Sequence, residues 1–114
     1  MVTKTTKTIG VWLTTTPTAL LAAVPDGFVR HFDMIHVAHA DPANPAYGTV
    51  NWVDADNGNA EYPLLHQSPV PVRDAIPAVI GAFSLEAGDY PKGYASADND
   101  ICVTFVYWDE TAVA

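Results

Sequence analysis

Short runs rich in Val, Ile, Thr and aromatic residues recur along the chain, broken every ~8 to 12 residues by Pro, Gly, Asn or Asp. That rhythm predicts strands joined by turns. The fold class it implies is all-β: an antiparallel β-sandwich of about eight strands, jelly-roll or Greek-key-like in its connections. Ile9, Val11 and Leu13 alternate with Thr8, Gly10 and Thr14 as a half-buried strand should, with Trp12 breaking the polar side. Residues 18–24 are expected to form a further strand, because Pro17 and the Pro25-Asp26-Gly27 turn leave too little room for a helix.

Residues 28–38 form the longest predicted strand. Strict alternation would put Phe28, Arg30, Phe32, Met34 and His36 on one side and Val29, His31, Asp33, Ile35 and Val37 on the other. Both sides are mostly apolar, so either the outer side meets a loop or another subunit, or a bulge exchanges the faces partway. Residues 47–53 and 60–65 read as two strands of a hairpin joined through Asp54, Ala55, Asp56, Asn57, Gly58 and Asn59. Pro63, Pro69, Pro71 and Pro77 exclude a central strand from residues 68–82, which are expected to run along an edge or cross between sheets. Strands follow at 83–85, 90–95 and 101–108, with turns at Ala87-Gly88-Asp89 and Asp98-Asn99-Asp100. In the last strand Ile101, Val103, Phe105 and Tyr107 share one face, and Cys102, Thr104, Val106 and Trp108 share the other.

At 114 residues, about half of them apolar, the chain is expected to form one domain over 1–114, with residues 1–7 as an extended N-terminal arm. Thirteen Asp and Glu stand against five Lys and Arg, for a net charge of −8, and the cations Lys4, Lys7, Arg30, Arg73 and Lys92 do not cluster. Nucleic acid is therefore not an expected partner, since phosphate binding needs a concentrated basic surface. Anionic membrane surfaces are excluded on the same ground, and no apolar run reaches the length of a membrane span. With Cys102 as the single cysteine, there is no internal disulfide and no cysteine-based zinc site. A reducing, cytosolic folding compartment fits this usage.

Candidate chemistry is sparse. His31 and Asp33, two residues apart on a strand, have the spacing of two ligands of a facial metal triad that His36, His39 or His66 would complete, as in a small cupin-like metal enzyme. His36 and His39 fall on other phases of the strand, so hydrogen-bonded strand histidines are the expected reading. Asp54, Asp56, Asn57, Asn59 and Glu61 resemble a calcium loop, but Gly58 stands at the fifth position where a ligand is required, which favours a hairpin turn. Ser68, Ser84 and Ser96 lie in no nucleophile elbow, and Cys102 is expected to be buried in its strand. Trp12, Trp52, Tyr62 and Trp108 would suit a carbohydrate-binding module if they shared a face, but packing is the commoner use of such residues. No catalytic residue, cofactor or metal ligand is assigned, and the chain is not expected to be an enzyme.

Several segments occur in a telling order: the Val24-Pro25-Asp26-Gly27 turn, the long strand after it, the Thr49-Val50-Asn51-Trp52 strand, the Pro69-Val70-Pro71 step, the Leu85-Glu86-Ala87-Gly88-Asp89 turn, Ala95-Ser96-Ala97 and the closing strand ending in Tyr107-Trp108-Asp109-Glu110. Across residues 18–110 this order resembles small tailed-bacteriophage virion structural proteins, β-sandwiches of the decoration or neck type. Asp26 stands where that group has a small residue, and His39-Ala40-Asp41 where it often ends the long strand on Asn. The resemblance implies a non-enzymatic virion protein, made in the host cytoplasm. A capsid decoration or cement role is expected first, and a neck, tail or fibre-attachment role second. It carries no catalytic residues. The surplus of apolar strand surface adds the expectation of a homo-oligomer, a trimer first, that docks on the major capsid protein or another virion component.

Overall fold

The computed structural model describes residues 4–41, 44–79 and 83–112. Among them are nine strands: β1 (Lys7–Trp12), β2 (Thr18–Ala19), β3 (Phe28–His39), β4 (Ala46–Asp54), β5 (Ala60–Val70), β6 (Ala75–Val79), β7 (Phe83–Leu85), β8 (Tyr90–Ala95) and β9 (Ile101–Thr111). They make two antiparallel sheets packed as a sandwich. One has the order β1-β9-β3-β6, with β7 pairing the first half of β3, and the other the order β2-β8-β4-β5. No helix among the described residues is long and apolar enough to cross a membrane.

The core lies between the sheets. Ile101, Val103 and Phe105 of β9 are fully buried, and Tyr107 nearly so, which is the face the alternation singled out. They meet Leu13, Phe32, Ile35 and Val37 from their own sheet and Val50 from the other. Phe32 packs its ring at 5.7 to 6.0 Å from those of Phe83, Phe105 and Tyr107.

A bulge resolves the two apolar sides of β3. Phe32 is opposite Tyr107 and Met34 is opposite Val106, so Asp33 is an extra residue and everything beyond it changes phase. Arg30 and Phe32 point inward before the bulge, and Ile35, Val37 and His39 after it. Strict alternation, which set Ile35 and Val37 opposite Phe32, is thereby corrected.

The Pro-rich region acts as a crossing connection, as expected. β5 stays at the edge of the four-stranded sheet, residues 71–74 turn, and β6 joins the edge of the five-stranded sheet against β3. The part of this region at residues 80–82 lies outside the described residues. The hairpin between β4 and β5 closes through a short 3₁₀ turn, Ala55–Asn57, with Gly58 and Asn59 both left-handed. Asp89 pins this turn from below: its carboxylate accepts the N–H of Ala55 at 3.0 Å and that of Glu86 at 3.2 Å.

Three expectations change at the opposite flank. The strand over 18–24 is only Thr18–Ala19, after which Leu20, Leu21 and Val24 leave the sheet to plug the core. With so short a β2, β1 is covered only at Val11, which packs against the core, and Ile9 is 36% exposed rather than half-buried. Cys102 is also not enclosed. It lies half-buried on the outward side of β9.

Candidate functional site

Opposite residues in an antiparallel pair project from the same face, so the register maps the outer surface of the five-stranded sheet. One row runs Trp12, Cys102, Ala38, Ala75; the next Gly10, Thr104, His36, Pro77; the third Thr8, Val106, Met34. None of these residues is acidic, in a chain with 13 carboxylates. Trp12 is 50% exposed and Met34 39%. The outcome is a broad, nearly uncharged and largely apolar sheet face open to solvent.

One end of this face is polar and ordered. The His31 ring stacks on Trp108, centroids 4.4 Å apart, and Lys4 sets its ammonium 4.8 Å from the centre of the Trp108 ring. Lys4 also approaches Asp33 at 3.7 Å. His31 Nδ1 is 2.7 Å from Ser84 Oγ, and Nε2 is 3.1 Å from Glu110 Oε2. With the proton on Nε2, the imidazole donates to Glu110 and accepts from the Ser84 hydroxyl.

Serine, imidazole and carboxylate in that order form a hydrolase relay when the carboxylate is buried and holds Nδ1. Here the ring is reversed and the Glu110 side chain is 54% exposed. A solvated carboxylate holds its imidazole weakly, so the arrangement works as a polar ladder tying β7, β3 and β9 together. Sequence reasoning passed over Ser84 because the three residues come from three strands, separated by 53 and 79 positions, with no local motif.

The other sequence candidates are dispersed. The bulge and its contact with Lys4 take Asp33 away from His31. His36 lies on the outer face, His66 is exposed on β5, and His39 is buried with its Nδ1 donating to the Val70 carbonyl at 2.8 Å. Among the described residues no three His, Cys, Asp or Glu side chains stand close enough to hold a metal. In the acidic turn Glu61 pairs with Lys92 at 3.2 Å, and Asn57 donates to the Tyr62 hydroxyl at 2.9 Å. The aromatic set divides: Trp12 and Trp108 belong to the five-stranded sheet, whereas Trp52 and Tyr62 stack at 5.0 Å on the other. They share no platform for a sugar.

The outer side of the four-stranded sheet carries Tyr94, whose phenol Gln67 approaches at 3.5 Å. That donor, seconded by Thr49, stabilises the phenolate and holds the Tyr94 pKa below its ordinary value. A shallow groove of about 320 Å³ lies beside it, lined by Pro45, Ala46, Tyr47, Gln67, Pro69 and Ser96, with no charged side chain.

No protein-family model matches the chain. No curated protein matches it either. Its fold is similar to that of a solved protein of the Bacillus endospore appendages, described as a novel family of disulfide-linked pili, with a TM-score of 0.57 at 9% identity over 97% of this chain and 88% of that one. Two solved pentameric capsid proteins isolated from metagenomic phage sequences align over 93% of this chain, at TM-scores of 0.44 and 0.47 and identities of 21% and 19%. The alignment spans 64% and 62% of those two chains. At 9% identity the likeness to the appendage protein is one of fold.

Proposed function

We propose that this chain is a non-enzymatic structural subunit of a phage particle that associates with itself and docks on the capsid as a decoration or cement protein. The observation that carries the reading is the outer face of the five-stranded sheet, where Trp12, Met34, Val106 and Trp108 lie around an acid-free centre. A chain of net charge −8 repels its own copies at long range, so the surfaces that meet in an assembly are those without carboxylates. Contiguous apolar surface on a small domain marks a site of association.

The ordered segments resembling small virion proteins supply the setting: residues 24–27 and 86–89 fall in turns, and Thr49–Trp52 and Tyr107–Glu110 lie within β4 and β9. The polar ladder of Ser84, His31 and Glu110 strengthens the sheet that presents the face. Catalysis plays no part in this reading.

Co-sedimentation of the purified chain with isolated capsids and with isolated tails of the phage that encodes it tests the proposal. Binding to capsids, lost on Trp12→Ala with Met34→Ala, is the expected result. Binding to tails alone moves the chain to a neck, tail or fibre-attachment position. Binding to neither overturns the virion role.

A further inference from the structure

Sheet rims are where strands of different chains join, and among the described residues this sandwich protects all of its rims but one. Pro77 interrupts β6, Pro63 and Pro69 interrupt β5, and Pro17 precedes the two-residue β2. β7 is three residues long. Proline and brevity both keep an edge from pairing. β1 has neither defence. It is six residues long without proline, its register with β9 is unbroken, and five of its six residues are exposed, with Val11 alone half-buried against the core.

The direction of its backbone groups follows from one hydrogen bond. Leu13 N–H donates to the Ile101 carbonyl at 2.8 Å, in step with the register in which Ile9 is opposite Phe105 and Val11 opposite Val103. Alternate residues of an antiparallel strand point their N–H and C=O to opposite sides. Lys7, Ile9 and Val11 therefore face β9, and Thr8, Gly10 and Trp12 face outward.

We propose that this edge pairs, antiparallel and about a two-fold axis at Gly10, with β1 of a second copy of the chain. The inference rests on reading the chain as a self-associating subunit and names the surface it uses. Among the described residues no other rim strand is both long and proline-free, so the partner of β1 is β1. Only one register uses all three outward residues: Gly10 opposite Gly10 of the second copy, and Thr8 opposite its Trp12 in both directions. That register sets Ile9 beside Val11 of the second copy, so the exposed Ile9 gains a β-branched neighbour. Two glycines meet at the axis, and no side chain obstructs the approach.

Charge agrees with the same register. Lys7 falls just outside the paired stretch, opposite the second copy's Leu13 and two residues from its Thr15, whose N–H donates to Asp98 at 2.8 Å. Each copy thus brings its lysine toward the other's carboxylate, as an isologous contact requires. The contact is two-fold, where the sequence suggested three copies.

Cross-linking reads the register directly. Opposed residues of a hydrogen-bonded pair lie ~5.5 Å apart at Cα, within the span of a disulfide. A Cβ at Gly10 would also lie 3.7 Å from Cys102 Sγ, so the test uses Gly10→Cys with Cys102→Ser, and Thr8→Cys with Cys102→Ser as control. Mild oxidation should link the Gly10→Cys chains into dimers and leave the Thr8→Cys chains unlinked. Gly10→Pro, which removes an outward N–H and fixes φ at an edge position while leaving the bonds of β1 to β9 in place, should lose the dimer in sedimentation and keep the monomer folded. A wild-type chain that stays monomeric at the highest concentration reached, equal cross-linking at both positions, or a dimer that survives Gly10→Pro overturns the pairing. Capsid and tail binding are scored on the same variants. Pairing through Gly10 without binding to either sinks the virion role alone, and binding with a dimer indifferent to Gly10→Pro sinks the edge alone.

Discussion

Arg30 and Asp109 stand opposite each other in the β3–β9 register and join through two parallel hydrogen bonds, Nε to Oδ1 at 2.8 Å and Nη2 to Oδ2 at 3.1 Å. The third arm of the guanidinium donates to the Ala22 carbonyl at 3.0 Å, and its central carbon lies 4.6 Å from the centre of the Tyr107 ring. One side chain thereby fastens the loop after β2 to the main sheet. The Arg30 side chain is 7% exposed, so losing its partner leaves a buried charge uncompensated. Asp109→Ala should lower the unfolding free energy by about 3 kcal/mol in urea. The double change Arg30→Met with Asp109→Leu should recover most of that loss, and a double variant as unstable as the single one would refute this account.

The two faces of β9 should respond differently to truncation. Phe105 is fully buried among the rings of the core, and Phe105→Ala should cost about 3 to 5 kcal/mol. Its neighbour Val106 points outward, and Val106→Ala should change stability by less than about 1 kcal/mol in the isolated chain. Equal effects on the unfolding midpoint would mean that the assigned facing is wrong.

Gly93 is required by a close approach of backbone. A Cβ there would lie 2.5 Å from the Thr49 carbonyl oxygen and 3.1 Å from Leu20 Cδ1, so β8 and β4 would have to part. Gly93→Ala should destabilise by about 1 to 3 kcal/mol or more. At Gly48 the same Cβ meets only side-chain atoms at 3.6 Å, and Gly48→Ala should change thermal stability much less. The contrast between the two glycines is the test.

His31 engages both ring nitrogens within the protein, and Asp33 turns to Lys4. Purified chain should therefore hold no stoichiometric zinc, iron or manganese after dialysis. Metal that survives dialysis and is lost on His31→Ala would restore a facial site. Ser84→Ala and Glu110→Gln should each weaken the ladder by about 1 kcal/mol or less, because exposed charge-assisted bonds contribute little.

Much of the strand order was legible because turns and hydrophobic periods are local. Ile101, Val103, Phe105 and Tyr107 announced the buried face of β9 by alternation alone, and Pro63, Pro69 and Pro77 announced edge strands by the donors they lack. The β3 bulge was legible only as a choice, since a strand apolar on both sides is equally a sign of a second covering layer. Ile9 misled because alternation reports which side faces the core direction and is silent on how far the opposite sheet extends.

By itself, then, the sequence determined the all-β class, the hairpin at Gly58, the crossing after β5 and the apolar surplus on β9, since each depends on residues within a few positions of one another. Only the tertiary structure decided that Asp33 is the bulged residue, that Ser84, His31 and Glu110 meet, that Trp12 and Trp108 are separated from Trp52, and that β1 is the undefended rim. These are relations between strands far apart in the chain. Their register is set by how two twisted sheets share one core, which no local pattern records.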